Sequence, residues 1–400
     1  MVVIRSTAAN SPVEARGRPT LSDPDTPFAV VNRTRLERNV ARLSRRLGAL
    51  GVPLRPHVKT AKSVAVARLL FDGGTGPITV STLAEAEAFA DVGFRDITYA
   101  VGIDPHKLPR VAALHRGGVR LTVLLDSLEQ AGAVVAAGQE HGLTIPALIE
   151  VDCDGHRGGV PATGAQLVEI GRALAEGGNL AGVLLHAGES YFARTEEDLL
   201  AAAENERATA VRAADTLRAT GLDVPAVSVG STPTAHAACD LTGVTEVRAG
   251  NYVFFDLVMA GLGVCDVEDI ALSVVVTVIG HRSDLGWVIT DGGWMAMSRD
   301  RGTAVQPVDQ GYGLVTDLSG RLLPGLLMSG ASQEHGTLSM RPGTGTPLPA
   351  LPIGTRLRIL PNHACATAAQ HGNYQVISSD QADTGQAPRI EAVWPRVGGW

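Results

Sequence analysis

Residues 120–152 read RLTVLLDSLEQAGAVVAAGQEHGLTIPALIEVD. Apolar runs at 120–125 and 146–152 flank an alanine-rich segment of helical period. A strand, a helix and a second strand in that order form a right-handed crossover, so the two strands lie parallel. The rhythm continues on both sides, with strand-like runs at about 53–58, 78–82, 97–101, 181–187, 226–230 and 244–249. Segments such as LAEAEAFADVG (83–93) and EEDLLAAAENERATAVRAADTLRATG (196–221) supply helices between them. Eight such strands predict a closed (β/α)8 TIM-type barrel. An open doubly wound sheet usually has fewer strands and often a G-x-G-x-x-G turn, which this sequence lacks.

Ahead of the barrel, FAVVNRTRLERNVARLSRRLGAL (28–50) reads as a short strand, an Asn32 cap and a helix. Leu36, Val40, Leu43, Leu47 and Leu50 recur at spacings of four and three along one face of that helix. Past about residue 266 the helical period fades. ALSVVVTVIG, GWVITD, TRLRIL and YQVISS are short β-type runs separated by Gly, Pro, Ser and Asp, which predicts a mostly antiparallel second domain. The expected division is a flexible leader at 1–24, the barrel at 33–265 and the β domain at 266–400.

The 400 residues carry a formal net charge of −7 without a long basic run, which argues against a nucleic-acid partner. No apolar run is long enough for a bilayer, and the leader has no secretion-type apolar stretch. The cysteines Cys153, Cys239, Cys265 and Cys365 are few and scattered, so a reducing cytoplasm is expected. The first three read as core residues.

Barrel active sites lie at the C-terminal ends of the strands. There the sequence places Arg55, His57, Lys59 and Lys62, then Asp152, Asp154, His156 and Arg157, then His186 and Tyr191. The seventh and eighth loops bring Gly230, Ser231 and Thr232, and Gly250, Asn251, Tyr252 and Asp256. Glycine turns with hydroxyls on these two loops suit a phosphate, although the same residues make ordinary turns. Lys59 at a strand end is either a Schiff-base former or a surface lysine in a basic loop. A phosphate site opposite it favours the first, because pyridoxal phosphate needs both.

RPHVKTAK (55–62), STLAEAE (81–87), GSTPT (230–234), TEVRAGNYVFFD (245–256), DGGWMAMSRD (291–300) and PNHACAT (361–367) together resemble the D-serine dehydratase and D-threonine aldolase family. These are fold-type III, alanine-racemase-like pyridoxal phosphate enzymes, and the likeness runs from about residue 25 to 378, closest to the dehydratase branch. It implies that residues 25–32 form a strand joining the β domain, and that the protein is a homodimer with active sites near the subunit interface. It also implies that Lys59 is the Schiff-base lysine and that Arg157 faces the pyridine nitrogen. Gly230, Ser231, Thr232, Gly250, Asn251 and Tyr252 would hold the phosphate, with His186 and Tyr191 lining the pocket.

PNHACAT places His363 and Cys365 two positions apart, on one side of the chain if the segment is a strand. Two ligands are too few for a structural zinc site, and H-x-C alone is equally an ordinary strand-end pair. The resemblance implies a divalent metal held by that pair, with substrate and water completing its shell. Family dehydratases carry His-x-Cys with Zn2+, whereas the aldolases compared carry His-x-Asp with Mn2+ or Mg2+. A thiolate prefers zinc. The expected reaction is loss of water from a β-hydroxy D-amino acid such as D-serine, D-threonine or D-3-hydroxyaspartate, giving a 2-oxo acid and ammonia. The alternative is retro-aldol cleavage to glycine and an aldehyde. A racemase would need a second base, for which Tyr312 is the candidate, and would leave His363 and Cys365 unexplained. Arg299 is a candidate for a second substrate carboxylate, and Glu334 and His335 either approach substrate or lie in a solvated loop.

Overall fold

The computed structural model describes residues 19–378 and 387–400. The expected barrel is present. Its strands are β2 (Leu54–Pro56), β3 (Ile78–Val80), β4 (Asp96–Gly102), β5 (Arg120–Leu125), β6 (Ala147–Glu150), β7 (Leu180–Leu184), β8 (Ala226–Val229) and β9 (Glu246–Ala249). They pair in parallel in the order β2-β9-β8-β7-β6-β5-β4-β3. The ring closes just beyond β2, where His57 bridges Thr79 and Val58 N–H donates to Thr79 O at 2.9 Å.

The β domain is a nine-stranded sheet in the order β11-β14-β13-β12-β15-β10-β1-β16-β17. It contains β1 (Phe28–Asn32), β10 (Leu272–Arg282), β11 (Trp287–Thr290), β12 (Gly313–Asp317), β13 (Leu322–Ala331) and β14 (Gly336–Met340). β15 (Arg356–Pro361), β16 (Asn373–Ile377) and β17 (Ala392–Pro395) complete it. All its pairs are antiparallel except β1 with β16.

β1 is buried along its whole length, and Asn32 at its end caps the helix Arg33–Ala49, its side chain accepting Arg35 N–H at 3.0 Å. That helix buries Leu36, Leu43 and Leu47 against the barrel, as its period requires. Residues 1–18 of the expected leader lie outside the described residues. The rest of it is not loose: Leu21 is fully buried and Thr20 bridges Arg389, because apolar surface was available there to cover. Of the three cysteines expected in the core, Cys265 is buried and Cys153 half-buried, but Cys239 is exposed on the loop after the helix Thr232–Ala237.

The barrel interior is polar toward one end. Arg55 on β2 reaches Glu246 on β9 at 2.6 Å and Asp96 on β4 at 2.8 Å, so it serves the barrel and not the loops. No helix among the described residues is long and apolar enough to cross a membrane.

Candidate active site

A cavity of about 520 Å3 opens at the C-terminal ends of the barrel strands. Barrel residues form most of its wall, and Asp300, Gly302, His363 and Cys365 of the β domain close one side. The size suits a cofactor-sized ligand.

Lys59 lies in the turn after β2 and not on the strand itself, because the ladder ends at the His57–Thr79 bridge. Burial lowers its pKa, and Arg157 and Arg248 add to the effect while Cys365 and Glu85 oppose it. His57 is held well below its usual value, by burial first and then by Lys59 and Arg248. Burial and Lys59 push His186 down to about 3. Its Nδ1 stands 3.0 Å from Gly230 O and must donate there, which leaves Nε2 as an acceptor. Lys62 points elsewhere, paired with the fully buried Glu85 at 2.7 Å.

The seventh and eighth loops meet at the cavity floor. A Cβ on Gly230 would stand 2.0 Å from Arg248 O, and one on Gly250 2.8 Å from His57 O, so both turns approach their neighbours as only glycine allows. Several expected phosphate donors are already engaged. Gly230 N–H donates to Glu206 at 3.0 Å, and Ser231 forms a capping box with Thr234. Glu206 comes from the helix Glu196–Arg218, is buried, and also accepts Ala187 N–H at 2.9 Å and the Thr234 hydroxyl at 2.7 Å. It therefore ties the sixth loop to the seventh from behind. Thr232 Oγ1, Asn251 Oδ1 and Tyr252 Oη are buried without a hydrogen-bond partner. Thr232 and Asn251 line the cavity, whereas Tyr252 lies beneath the floor, fully buried, because the turn after β9 aims its ring into the core.

Two arginines line the cavity. Arg157 stands at the rim, its side chain 53% exposed, with Glu150 at 3.9 Å as its nearest acid. Asp152 and Asp154 instead accept backbone N–H groups of their own loop. Arg248 at the end of β9 is buried, donates to Ser228 Oγ at 2.6 Å and also to Leu185 O. Tyr191 lines the cavity beside His186, their ring centroids 6.3 Å apart.

His363 and Cys365 do not lie in a strand. β15 ends at Pro361, His363 is the N-cap of the short helix Ala364–Ala368, and Cys365 sits in its first turn. The pair converges because the chain turns there, not because of strand alternation. His363 Nδ1 is 2.5 Å from Asp300 Oδ2, and Cys365 Sγ is 3.2 Å from Thr60 Oγ1. Burial disfavours charge on His363, but Asp300 and Cys365 outweigh it and raise the imidazole to about 11. Burial likewise raises Cys365, yet His363, Lys59 and Thr60 prevail and lower it. Each of the two groups thus favours the charged form of the other. Among the described residues no three His, Cys, Asp or Glu side chains converge as a ready metal cage.

Other residues marked in the sequence lie outside the cavity wall. Tyr312 packs on the β-domain core beneath Arg301, Arg299 stacks over Trp294 at 4.2 Å, and Glu334 and His335 are exposed. Sequence reading missed Thr60, Glu206, Arg248 and Asp300. Arg248 and Asp300 do stand inside the motifs TEVRAGNYVFFD and DGGWMAMSRD.

Residues 31–258 match the family described as "Alanine racemase, N-terminal domain", and residues 271–377 the one described as "Putative serine dehydratase domain". The chain is 54% identical over 385 residues to D-threo-3-hydroxyaspartate dehydratase of Delftia sp. (strain HT23), covering 95% of this chain and 99% of that protein. It is 29% identical to D-serine dehydratase of Dictyostelium discoideum, covering 89% and 94%. It is 28% identical to 3-hydroxy-D-aspartate aldolase of Paracoccus denitrificans (strain Pd 1222), covering 94% and 92%. Among solved structures, a histidine-to-alanine mutant of D-threo-3-hydroxyaspartate dehydratase superposes with a TM-score of 0.91 at 54% identity, covering 96% and 97%. A cysteine-to-alanine mutant of the same enzyme in the metal-free form gives 0.90 at 53%, covering 96% and 100%.

Proposed function

The chain belongs to the alanine-racemase-like, fold-type III family that contains the serine dehydratases, and on that premise we propose that it is a pyridoxal 5'-phosphate- and metal-dependent lyase. Its reaction removes water from a β-hydroxy D-amino acid and ends in a 2-oxo acid and ammonia. The observation that carries this reading is that Lys59 and the His363–Cys365 pair face one cavity, tied together by the 3.2 Å contact of Thr60 with Cys365.

The residues fit both groups. Thr232 offers an unpartnered buried hydroxyl at the cavity wall, together with the Gly250–Asn251 turn. An imidazole with a thiolate is a soft donor set that suits zinc over manganese or magnesium. The alanine mutants of the Delftia-type enzyme stand two positions apart, the spacing of His363 and Cys365, and one of them is metal-free. Bound there, pyridoxal phosphate supplies an electron sink for bond breaking at Cα and the metal a Lewis acid for the departing hydroxyl.

The chain's own residues do the rest. Lys59 would hold the cofactor through its aldehyde, and its Nζ is the base placed to take the Cα proton of the substrate. Its lowered pKa brings the neutral amine within reach. Thr232 and the Gly250–Asn251 turn hold the phosphate, with Gly230 and Ser231 shaping the turn more than donating to it. Tyr252 contributes only its place beneath that turn. Arg248, buried and locked in place, suits the ring nitrogen better than Arg157, which is free at the rim to meet a substrate carboxylate. His186 and Tyr191 wall the pocket. Asp300 holds His363 through Nδ1, which would leave Nε2 to bind the metal.

A 3-hydroxyaspartate-type substrate is favoured over D-serine and D-threonine by the more similar relative. Retro-aldol cleavage is the second reading, favoured by the aldolase relative, and Cys365 in place of a carboxylate ligand counts against it. Racemisation is not favoured, because Tyr312 of this chain packs away from the cavity. A homodimer is supported by the exposed Val305 and Val308, a few residues beyond Gly302 of the cavity wall. A reducing cytoplasm would keep the Cys365 thiolate intact.

To test the assignment, the pyridoxal phosphate-loaded protein is stripped with a chelator and given zinc or manganese. D-threo-3-hydroxyaspartate, D-serine and D-threonine, with L-isomers as controls, are supplied and the products identified by mass spectrometry. Oxo acid and ammonia, lost on chelation and restored by zinc, support the dehydratase. Glycine with an aldehyde moves the assignment to the aldolase.

A further inference from the structure

Asp256 is fully buried and lies where the barrel and the β domain meet at the cavity. Its Oδ1 accepts Met259 N–H at 2.9 Å, an ordinary cap for the helix Leu257–Gly261. Its Oδ2 does something a cap does not require. It accepts from Asn251 Nδ2 at 2.6 Å and from Ala364 N–H at 2.8 Å. Asn251 belongs to the turn after β9 that would hold the phosphate. Ala364 stands between His363 and Cys365. One carboxylate oxygen thus joins the barrel's cofactor turn to the turn bearing the two metal-ligand candidates, 108 positions further along the chain.

A second feature points the same way. Phe255, just before Asp256, is fully buried with φ +50. A bulky residue in the left-handed region is strained, and such strain collects where the surrounding structure imposes a geometry. The chain is bent at Phe255, and the next side chain is the one that spans the two domains.

We propose that Asp256 is a positioning residue for the metal site: by holding Ala364 N–H it fixes the His363–Cys365 turn against the cofactor turn. The inference rests on the reading of His363 and Cys365 as metal ligands. Asparagine isolates the contact. Its oxygen can still cap Met259 N–H. Asn251, whose Oδ1 has no partner, can turn its amide and accept from the new one. Ala364 N–H has no such recourse and faces an amide NH2.

Cobalt(II) serves as the probe, read by its thiolate absorption and by competition with a chelator in the pyridoxal phosphate-loaded enzyme. Asp256→Asn is expected to weaken cobalt binding at least about tenfold and to alter the thiolate band. Cofactor affinity of the metal-free protein stays near wild type, while its Tm falls because the buried Ala364 N–H is left unpaired. Where the asparagine variant does not fold, Asp256→Glu, which displaces both acceptors, is read in the same way. Unchanged cobalt affinity and spectrum overturn the proposal. So do equal losses in Tm and cofactor affinity without metal, which would make Asp256 a packing residue. Cobalt binding indifferent to Cys365→Ala instead refutes the metal site itself, and this inference with it.

Discussion

Thr60 and Cys365, 305 positions apart, bring a hydroxyl and a sulfur to within 3.2 Å of each other. Thr60 is the residue after Lys59, so the lysine turn of the barrel and the His363–Cys365 turn of the β domain are in direct contact. A thiolate can accept the Thr60 hydroxyl, which helps hold Cys365 in its ionised form. One short contact therefore sets the candidate base beside the candidate metal ligand, and each half can be tested separately.

Lys59→Ala is expected to abolish covalent attachment of pyridoxal phosphate and to lower turnover at least about 1000-fold. Borohydride reduction followed by peptide mapping checks it: wild type carries the label on Lys59. Label on Lys62 would contradict the ion pair with Glu85 that occupies that ammonium at 2.7 Å.

Asp300→Asn removes the carboxylate that stands 2.5 Å from His363 Nδ1. Loss of such an orienting partner typically weakens metal binding about 10–100-fold. Zinc competition against a chelator measures it. Full retention of affinity would reduce Asp300 to a rim residue.

Cys365→Asp exchanges a soft ligand for a hard one. Zinc-supported activity should fall relative to manganese-supported activity by at least about tenfold, because carboxylate suits the harder ion. The product ratio in manganese then reports whether the ligand alone moves the chemistry toward carbon–carbon cleavage.

His236 gives a pH dependence that lies outside the reaction. Burial drives it down to about 4, although its bond to Thr232 O, 2.8 Å from Nδ1, works the other way. With a folded pKa below the unfolded value of about 6.5, the unfolded chain binds the extra proton first. Stability is therefore undiminished above about pH 6.5 and falls as pH drops toward 4, by at most about 1.4 kcal/mol per unit. Urea unfolding of wild type and His236→Gln at pH 7 and 5 should show a flatter dependence in the variant.

The barrel was legible because eight apolar runs alternate with helical segments, and this periodicity is local. So was the helix after Asn32, whose cap and leucine spacing sit within a few residues of each other. The site was legible only where a motif sits on its own loop, as with Lys59. Strand alternation, the geometric reason for pairing His363 with Cys365, does not hold, since a turn brings them together; the resemblance of PNHACAT marked them independently. Arg248 reads as one more strand residue until its burial is seen, and Gly230 as a phosphate donor until Glu206 takes its N–H. Asp300, Thr60 and Glu206 act through partners far away in sequence, and no local pattern records that.

β1 lies between β10 and β16, pairing Phe28 with Val275 and Val31 with Val376. On the ribosome this strand emerges before the barrel, and both of its partners after it. At about 5–20 residues per second, roughly 240 residues separate it from β10, a wait on the order of ten to fifty seconds. Throughout that interval an apolar strand has no sheet to join, while the whole barrel is being made. The nascent chain must therefore shelter β1, and overproduction at speed should tax this protein at that strand first.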